Sequence, residues 1–168
     1  SAVSCVQLKA RVEIRDANDA YEKEDYGTAL THYQKARQID PTGFPELDRM
    51  IGYCNIGLYQ PDVKDPANDK HADNAIVALQ SYLQTRPEDR IARDALVSTF
   101  LSANRISQAI DYYRAYLQKN QGDLEAVKSI ATLYAKQGNF PESLTWHQHT
   151  TLLEPKNPES VFRYVSVL

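Results

Sequence analysis

Oxygen and nitrogen donors concentrate in one polar segment near the middle of the chain, which makes metal binding the first chemistry to consider. An EF-hand loop needs oxygen ligands at alternating positions, a Gly at position 6 and a Glu at position 12, and this segment has neither the register nor the Gly. We therefore interpret it as a solvated loop, with contact to a partner as the alternative, and predict no metal site. The donors are Asp62, Asp65, Asn68, Asp69, His71 and Asp73.

The histidines and glycines do not form a pattern typical of catalysis. His147 and His149 are two residues apart and point to different faces of a helix, and His32 and His71 have no Cys or acidic residue at ligand spacing. We expect His147 to be a core or boundary residue. No Gly-rich phosphate cradle occurs, because the six glycines are scattered singly. The sequence predicts a protein that is not an enzyme and needs no cofactor.

The two cysteines are expected to be reduced. Cys5 lies near the start of the first predicted helix and Cys54 late in the third, so their axial offset should exceed the ~7 Å Cα separation that a disulfide allows. Ala2-Val3-Ser4-Cys5 weakly resembles the sequence before the lipidated cysteine of bacterial lipoproteins. We expect an ordinary cysteine at a helix start, with lipid anchoring in a bacterial envelope as the alternative.

Composition narrows the class of protein. The 168 residues are 42% hydrophobic and 24% charged, which suits a folded chain of one domain or one array of small repeats. The net charge of -3 provides no basic field for nucleic acid or for an anionic membrane. Mean hydropathy is -0.54, and no apolar run reaches the ~18–20 residues that span a bilayer. We expect a soluble cytoplasmic or periplasmic protein.

A repeat organises the predicted helices. Similar blocks carry a small residue at one place, and Ala75, Ala109 and Ser143 are separated by 34 residues each. Ala29 precedes Ala75 by 46 residues, which is 34 plus an insertion of 12. Each block has the apolar spacing of an amphipathic helix and follows a second such helix. A helix pair of this size cannot bury its apolar face alone, so neighbouring pairs must stack.

Four units and a final helix fit the chain as one repeat domain over residues 1–168. The second unit contains the insertion, which we expect to form a loop over about 60–71 and to be dispensable for folding from about Gln60 to Asp69, because its composition gives it nothing to bury. The units span about 10–43, 44–89, 90–123 and 124–157, with the last helix over 158–168.

The chain resembles the tetratricopeptide repeat (TPR) family over roughly residues 10–168. The family pattern has small residues at unit positions 8, 20 and 27, aromatic residues at 11 and 24, and Pro at 32. The first unit matches with Ala17, Ala29, Tyr33, Ala36 and Pro41. There are departures, since Tyr82, Tyr116 and Thr150 replace the Ala at position 27 and His147 replaces an aromatic. The resemblance implies an all-α, right-handed superhelical solenoid of antiparallel helix pairs.

In this family, first-helix positions 2, 5, 9 and 12 or 13 line a concave peptide-binding surface. We expect contacts to centre on Arg49, Tyr53 and Lys128, with the two cations favouring an acidic or C-terminal segment. The alternative is that Arg49 and Lys128 are solvated charges paired with Asp94 and neighbouring acids. Positions 5 and 9 correspond to Ile14 and Asn18, Arg49 and Tyr53, Asp94 and Ser98, and Lys128 and Thr132.

The resemblance implies a scaffold or adaptor that binds a peptide or another protein on its concave surface. The alternative is a structural segment of a longer repeat protein that self-associates through an exposed C-terminal end. This second hypothesis rests on the apolar stripe of the last helix, which contains Val161, Phe162, Val165 and Leu168.

Overall fold

A computed structural model of the chain describes residues 5–154, and the helix expected over 158–168 lies outside that range. Eight α-helices make up the described part, as the sequence predicts. They are α1 (Cys5–Glu22), α2 (Tyr26–Ile39), α3 (Glu46–Leu58), α4 (Pro66–Thr85), α5 (Arg90–Ser102), α6 (Ile106–Lys119), α7 (Leu124–Gln137) and α8 (Phe140–Leu153).

Short polar side chains fix where several helices begin. The carboxylates of Asp25, Asp65, Asp89 and Asp123 accept hydrogen bonds from backbone N–H groups in the first turns of α2, α4, α5 and α7. These bonds satisfy donors that have no partner within the helix. Gly138 ends α7 in the left-handed conformation, with φ of 81°, which glycine adopts without a steric penalty.

The helices divide into two compact parts that are larger than a repeat unit. We call α1–α5 the N-terminal unit and α6–α8 the C-terminal unit. In the N-terminal unit, α1 packs on α2 and α3 on α4, and short connections make each pair antiparallel. Small residues allow this close packing, since Ala17, Ala29 and Ala75 are fully buried. Gly52 serves the same purpose, because a Cβ there would lie 2.8 Å from Cγ of Leu79.

In the C-terminal unit, α7 packs on α8 and also contacts α6. Ala109 and Ser143, two of the repeated small residues, are fully buried. The Ser143 hydroxyl donates to the carbonyl oxygen of Ala131 at 2.9 Å, which satisfies a polar group inside the helix pair. His147 is 7% exposed, which agrees with the prediction of a core or boundary residue.

The inserted segment differs from its prediction. The connection between α3 and α4 covers only residues 59–65, because α4 already begins at Pro66 and the rest of the insertion is helical. Asn68 is 8% exposed, and its side-chain amide bonds both backbone groups of Gln60 and the carbonyl oxygen of Val63. The loop predicted over about 60–71 therefore ends at residue 65, and the bonds of Asn68 argue against the prediction that about Gln60 to Asp69 is dispensable for folding. The composition of the segment did not predict that the side-chain amide of Asn68 bonds the backbone of residues 59–65.

Candidate functional site

Helix α3 places Arg49 and Tyr53 one turn apart. The pattern of this helix buries Leu47, Gly52, Cys54 and Asn55, which leaves Arg49 and Tyr53 half-buried at the border of the core. Nδ1 of His71 on α4 lies 2.9 Å from Oδ1 of Asn55, which is a hydrogen-bonding distance. Packing of α3 on α4 therefore fixes the positions of Arg49 and Tyr53.

The charge of Arg49 is compensated within the N-terminal unit. Its guanidinium lies 3.0 Å from Glu46 and 3.4 Å from Asp89, and its central carbon lies 5.5 Å from the ring centroid of Tyr82. Burial works against the charged form, but the attraction of Glu46 and the other neighbours is greater and raises the pKa of Arg49. The alternative prediction of a paired cation therefore has support, although the partners are Glu46 and Asp89 and not Asp94.

Tyr53 lines a cavity of about 340 Å³ that is bounded by residues of α1, α2, α3 and α5. Burial raises the pKa of its phenol, so the hydroxyl stays protonated and can donate a hydrogen bond near neutral pH. The hydroxyl oxygen is buried and has no hydrogen-bond partner within the described residues. A buried donor without an acceptor lowers the stability of the folded protein.

The walls of this cavity are apolar and aromatic. Tyr21 and Tyr26 form an edge-to-face pair with ring centroids 5.4 Å apart. Gly57 allows this arrangement, because a Cβ at that position would overlap the ring of Tyr26. Ile91 is 74% exposed, so one wall presents an aliphatic side chain to solvent. The full lining is Tyr21, Tyr26, Tyr53, Ile56, Gly57, Ile91 and Ala95.

Three further predicted residues lie on the first helices of the same unit. Asn18 on α1 is exposed and accepts a hydrogen bond from the Tyr33 hydroxyl at 2.6 Å. Asp94 and Ser98 on α5 are exposed, and Asp94 is adjacent in sequence to Ala95 of the cavity. We call the surface that carries Asn18, Arg49, Tyr53, Asp94 and Ser98 the first-helix face.

Lys128 and Thr132 belong to α7 in the C-terminal unit. The ammonium of Lys128 lies 3.3 Å from both Glu125 and Glu154. Burial opposes its charge, but these carboxylates outweigh burial and raise the pKa of Lys128. Thr132 is exposed, and its hydroxyl donates to the carbonyl oxygen of Lys128. Lys128 therefore resembles Arg49 in having its charge balanced locally.

Most cavity residues were missed because only unit positions 5 and 9 were carried over. Tyr21 and Ile56 occupy position 12 of their units, Gly57 occupies position 13, and Ile91 occupies position 2. These are also inner-surface positions in the family, so the register contained the missing signal. Tyr26 could not be found in this way, because it is the first residue of α2, a second helix of its unit, and reaches the cavity only through the space that Gly57 leaves open.

A second cavity, of about 580 Å³, lies in the C-terminal unit and was not predicted. Its lining includes Trp146, Leu152 and Leu153 of α8, and Leu152 is 76% exposed. The aromatic ring of Trp146 packs edge-to-face against His149 with centroids 5.2 Å apart. This cavity does not contain Lys128 or Thr132.

The other predicted chemistries have these structural outcomes. Within residues 5–154, no group of three or more His, Cys, Asp or Glu side chains is arranged to hold a metal ion. Cys5 is exposed and Cys54 buried, and both are free thiols. Burial raises the pKa of Cys54 to about 12, so its thiol stays protonated. No helix in the described part of the chain is long and apolar enough to cross a membrane.

Comparisons with known proteins bear on the fold. The sequence matches no known family model. Among solved structures, MamA superimposes with a TM-score of 0.61 at 15% identity, covering 95% of this chain and 80% of its own. YrrB, a TPR protein with an unusual peptide-binding site, gives 0.56 at 16% identity, covering 99% and 83%. TTC0263, a thermophilic TPR protein of Thermus thermophilus, gives 0.51 at 14% identity, covering 94% and 98%. The chain therefore has the all-α fold of the tetratricopeptide-repeat proteins.

Proposed function

We propose that this protein is a non-enzymatic scaffold that binds a peptide segment of another protein on its first-helix face. One observation carries the proposal. The first-helix face contains an apolar cavity of about 340 Å³, which Tyr53 lines together with aromatic and aliphatic side chains of three other helices. A concave cavity of a few hundred Å³ with mainly apolar and aromatic walls is typical of a ligand-binding site.

Proteins of the same fold support the binding of peptides or other proteins and do not identify a partner. Proteins with the TPR fold are generally non-catalytic scaffolds and bind peptides or partner proteins. YrrB has a peptide-binding site on this fold. In the family, the positions that correspond to Asn18, Arg49, Tyr53, Asp94 and Ser98 lie on the concave surface. Lys128 and Thr132, at the same positions of α7, stay predicted contacts.

Site-specific photo-crosslinking tests the proposal without assuming the chemistry of the ligand. A photoreactive amino acid replaces Ser98 on the first-helix face or, as a matched control, Gln34 on α2, since both positions are exposed. Each protein is irradiated with a random peptide library, and the captured peptides are sequenced. We expect capture at position 98 that excess unlabelled library reduces, and little at position 34. Equal capture at both positions, or none at 98, would contradict the proposal.

A second function has one specific observation in its favour. Leu152 and Leu153 at the end of α8 are 76% and 43% exposed, which leaves apolar surface for a second copy or for further repeats. This is the self-associating structural segment that the sequence allows as an alternative. Light scattering over a concentration series tests it, because Leu152→Ser should lower the average mass only if this surface joins two copies.

A further inference from the structure

Among the five residues that define the first-helix face, the one cation is already paired with carboxylates. Arg49 is the cation expected there, and it is shared between Glu46 and Asp89 while it lies against Tyr82. The pairing leaves two carboxylates for one guanidinium. An acidic ligand would therefore have to displace Glu46 or Asp89, and this argues against the acidic segment that residue types alone suggest.

Carboxylates outnumber cations among the residues that lie within two sequence positions of the cavity lining. Glu22 directly follows Tyr21, and Asp94 directly precedes Ala95 and is three residues after Ile91, so it shares a helix surface with that wall. Both carboxylates are exposed and have no ion-pair partner within residues 5–154. The charged residues within two positions of a lining residue are the acids Asp19, Glu22, Glu24, Asp25, Asp89 and Asp94 and the bases Lys23, Arg90 and Arg93.

One of the three bases contributes little to this surface. Arg93 is 5% exposed, and its guanidinium donates to the carbonyl oxygen of Pro87 at 3.3 Å. Its charge therefore points into the unit near the start of α5. Lys23 and Arg90 are exposed and offset two of the carboxylates in part. Asp89 is paired with Arg49, which leaves Asp19, Glu22, Glu24, Asp25 and Asp94 against Lys23 and Arg90. A cationic ligand would neutralise this excess of negative charge.

We propose that the cavity takes one bulky apolar side chain of a peptide in which Lys or Arg flank that side chain. The apolar side chain enters between Tyr53, Ile56 and Ile91, and the flanking cations pair with Glu22 and Asp94. This inference rests on the proposed function, because it specifies the ligand of the same site.

Three fluorescent peptides test the proposal with the full chain. The first has one Phe flanked on each side by two lysines, the second has glutamates in place of the lysines, and the third has Ser in place of the Phe. Fluorescence anisotropy measures the affinity of each peptide. We expect the first to bind at least tenfold more tightly than either of the others, and to weaken as salt is added. Equal binding of all three, tighter binding of the acidic peptide, or no binding of any peptide would overturn the proposal.

One double variant, its matched control and one single variant test where the peptide binds. All of them replace exposed residues, so the fold should persist. Glu22→Lys with Asp94→Lys should reverse the preference toward the acidic peptide. The matched control, Asp111→Lys with Glu142→Lys, changes the net charge equally in the C-terminal unit and should keep the original preference. Ile91→Ser should weaken the first peptide about tenfold while leaving thermal unfolding unchanged. If the protein with both Glu22→Lys and Asp94→Lys still prefers the basic peptide, the assignment of the flanking contacts is overturned.

The random-library experiment separates this proposal from the more general one. Peptides captured at position 98 without basic residues beside an apolar one would overturn the basic-ligand proposal and leave the peptide-binding function supported. Absence of any specific capture at position 98 would overturn both. Capture of a second copy of this chain, detected as a crosslinked dimer, would overturn the peptide as the occupant.

Discussion

The hydroxyl of Tyr82 donates a hydrogen bond to Oδ2 of Asp89 at 2.9 Å, and this pair links the end of α4 to the start of α5. Oδ1 of the same carboxylate caps α5 by accepting from the N–H of Ala92. The arrangement recurs 34 residues later, where Tyr116 donates to Oδ2 of Asp123 at 2.7 Å and Oδ1 caps α7. A tyrosine at position 27 of the unit therefore holds the helix cap of the next unit in place.

Loss of the tyrosine hydroxyl should lower stability without changing the fold. Burial and the bond to Asp89 raise the pKa of Tyr82 to about 12, so the hydroxyl is a donor at all ordinary pH values. Tyr82→Phe is expected to reduce the free energy of unfolding by about 1 kcal/mol. Tyr116→Phe should give a similar loss because its geometry is the same. Urea denaturation measures both, and a neutral result in both variants would show that the bond contributes nothing net.

The carboxylate of this pair predicts a pH dependence. Burial disfavours the charge of Asp89, but bonds from Ala92 and Tyr82 and the attraction of Arg49 outweigh burial and lower its pKa below the usual 3.8. A lowered pKa in the folded state stabilises the fold above about pH 4, and this stabilisation is lost as the pH falls through the folded-state value. Asp89→Asn keeps a capping oxygen, so its deficit in unfolding free energy should be constant from pH 7 to 5 and shrink toward pH 3. Urea denaturation at each pH measures the deficit, and one that stays constant down to pH 3 would contradict the lowered pKa.

The sequence predicted the helices and their pairing well, because these depend on local spacing. Small residues every 34 positions identified the close contacts at Ala109 and Ser143, and both are fully buried. The contacts of Tyr82 were not predictable, since the family pattern marks position 27 as a place for Ala and contains no donor there. The cavity was not predicted because only positions 5 and 9 of the register were used, and because Tyr26 enters its lining from a second helix, outside the inner-surface positions.

The repeated small residue on α6 can be tested by enlarging it. Ala109 is fully buried, so Ala109→Leu must push neighbouring helices apart and should lower the free energy of unfolding by about 1–3 kcal/mol or more. Ala115 lies on the same helix and is exposed, which makes Ala115→Leu a matched control with an expected change below about 0.5 kcal/mol. Thermal unfolding followed by circular dichroism compares them, and equal stability of the two variants would contradict the repeat register.

The amide of Asn68 should be more important than the composition of its segment suggests. Asn68→Ala leaves the N–H and carbonyl of Gln60 and the carbonyl of Val63 without their partner, so we expect a loss of about 1–3 kcal/mol in unfolding free energy, measured by urea denaturation. Asp69→Ala changes an exposed neighbour and should be close to neutral. If Asn68→Ala is also neutral, water replaces the amide and the connection is dispensable after all.

Arg49 should behave as a structural residue of α3 in addition to any role in binding. Arg49→Glu replaces the cation between Glu46 and Asp89 by a third carboxylate, and it removes the guanidinium from the face of Tyr82. Because the side chain is 34% exposed, solvent screens part of this repulsion, and we expect a loss of roughly 1–2 kcal/mol. Lys35→Glu makes the same change of charge at an exposed position of α2 and should be nearly neutral. Binding by Arg49→Glu must therefore be compared with binding by the unsubstituted protein at an equal folded fraction, measured by circular dichroism. An unchanged melt for Arg49→Glu would mean that this cation is free to contact an acidic ligand, and it would favour that ligand over the basic one.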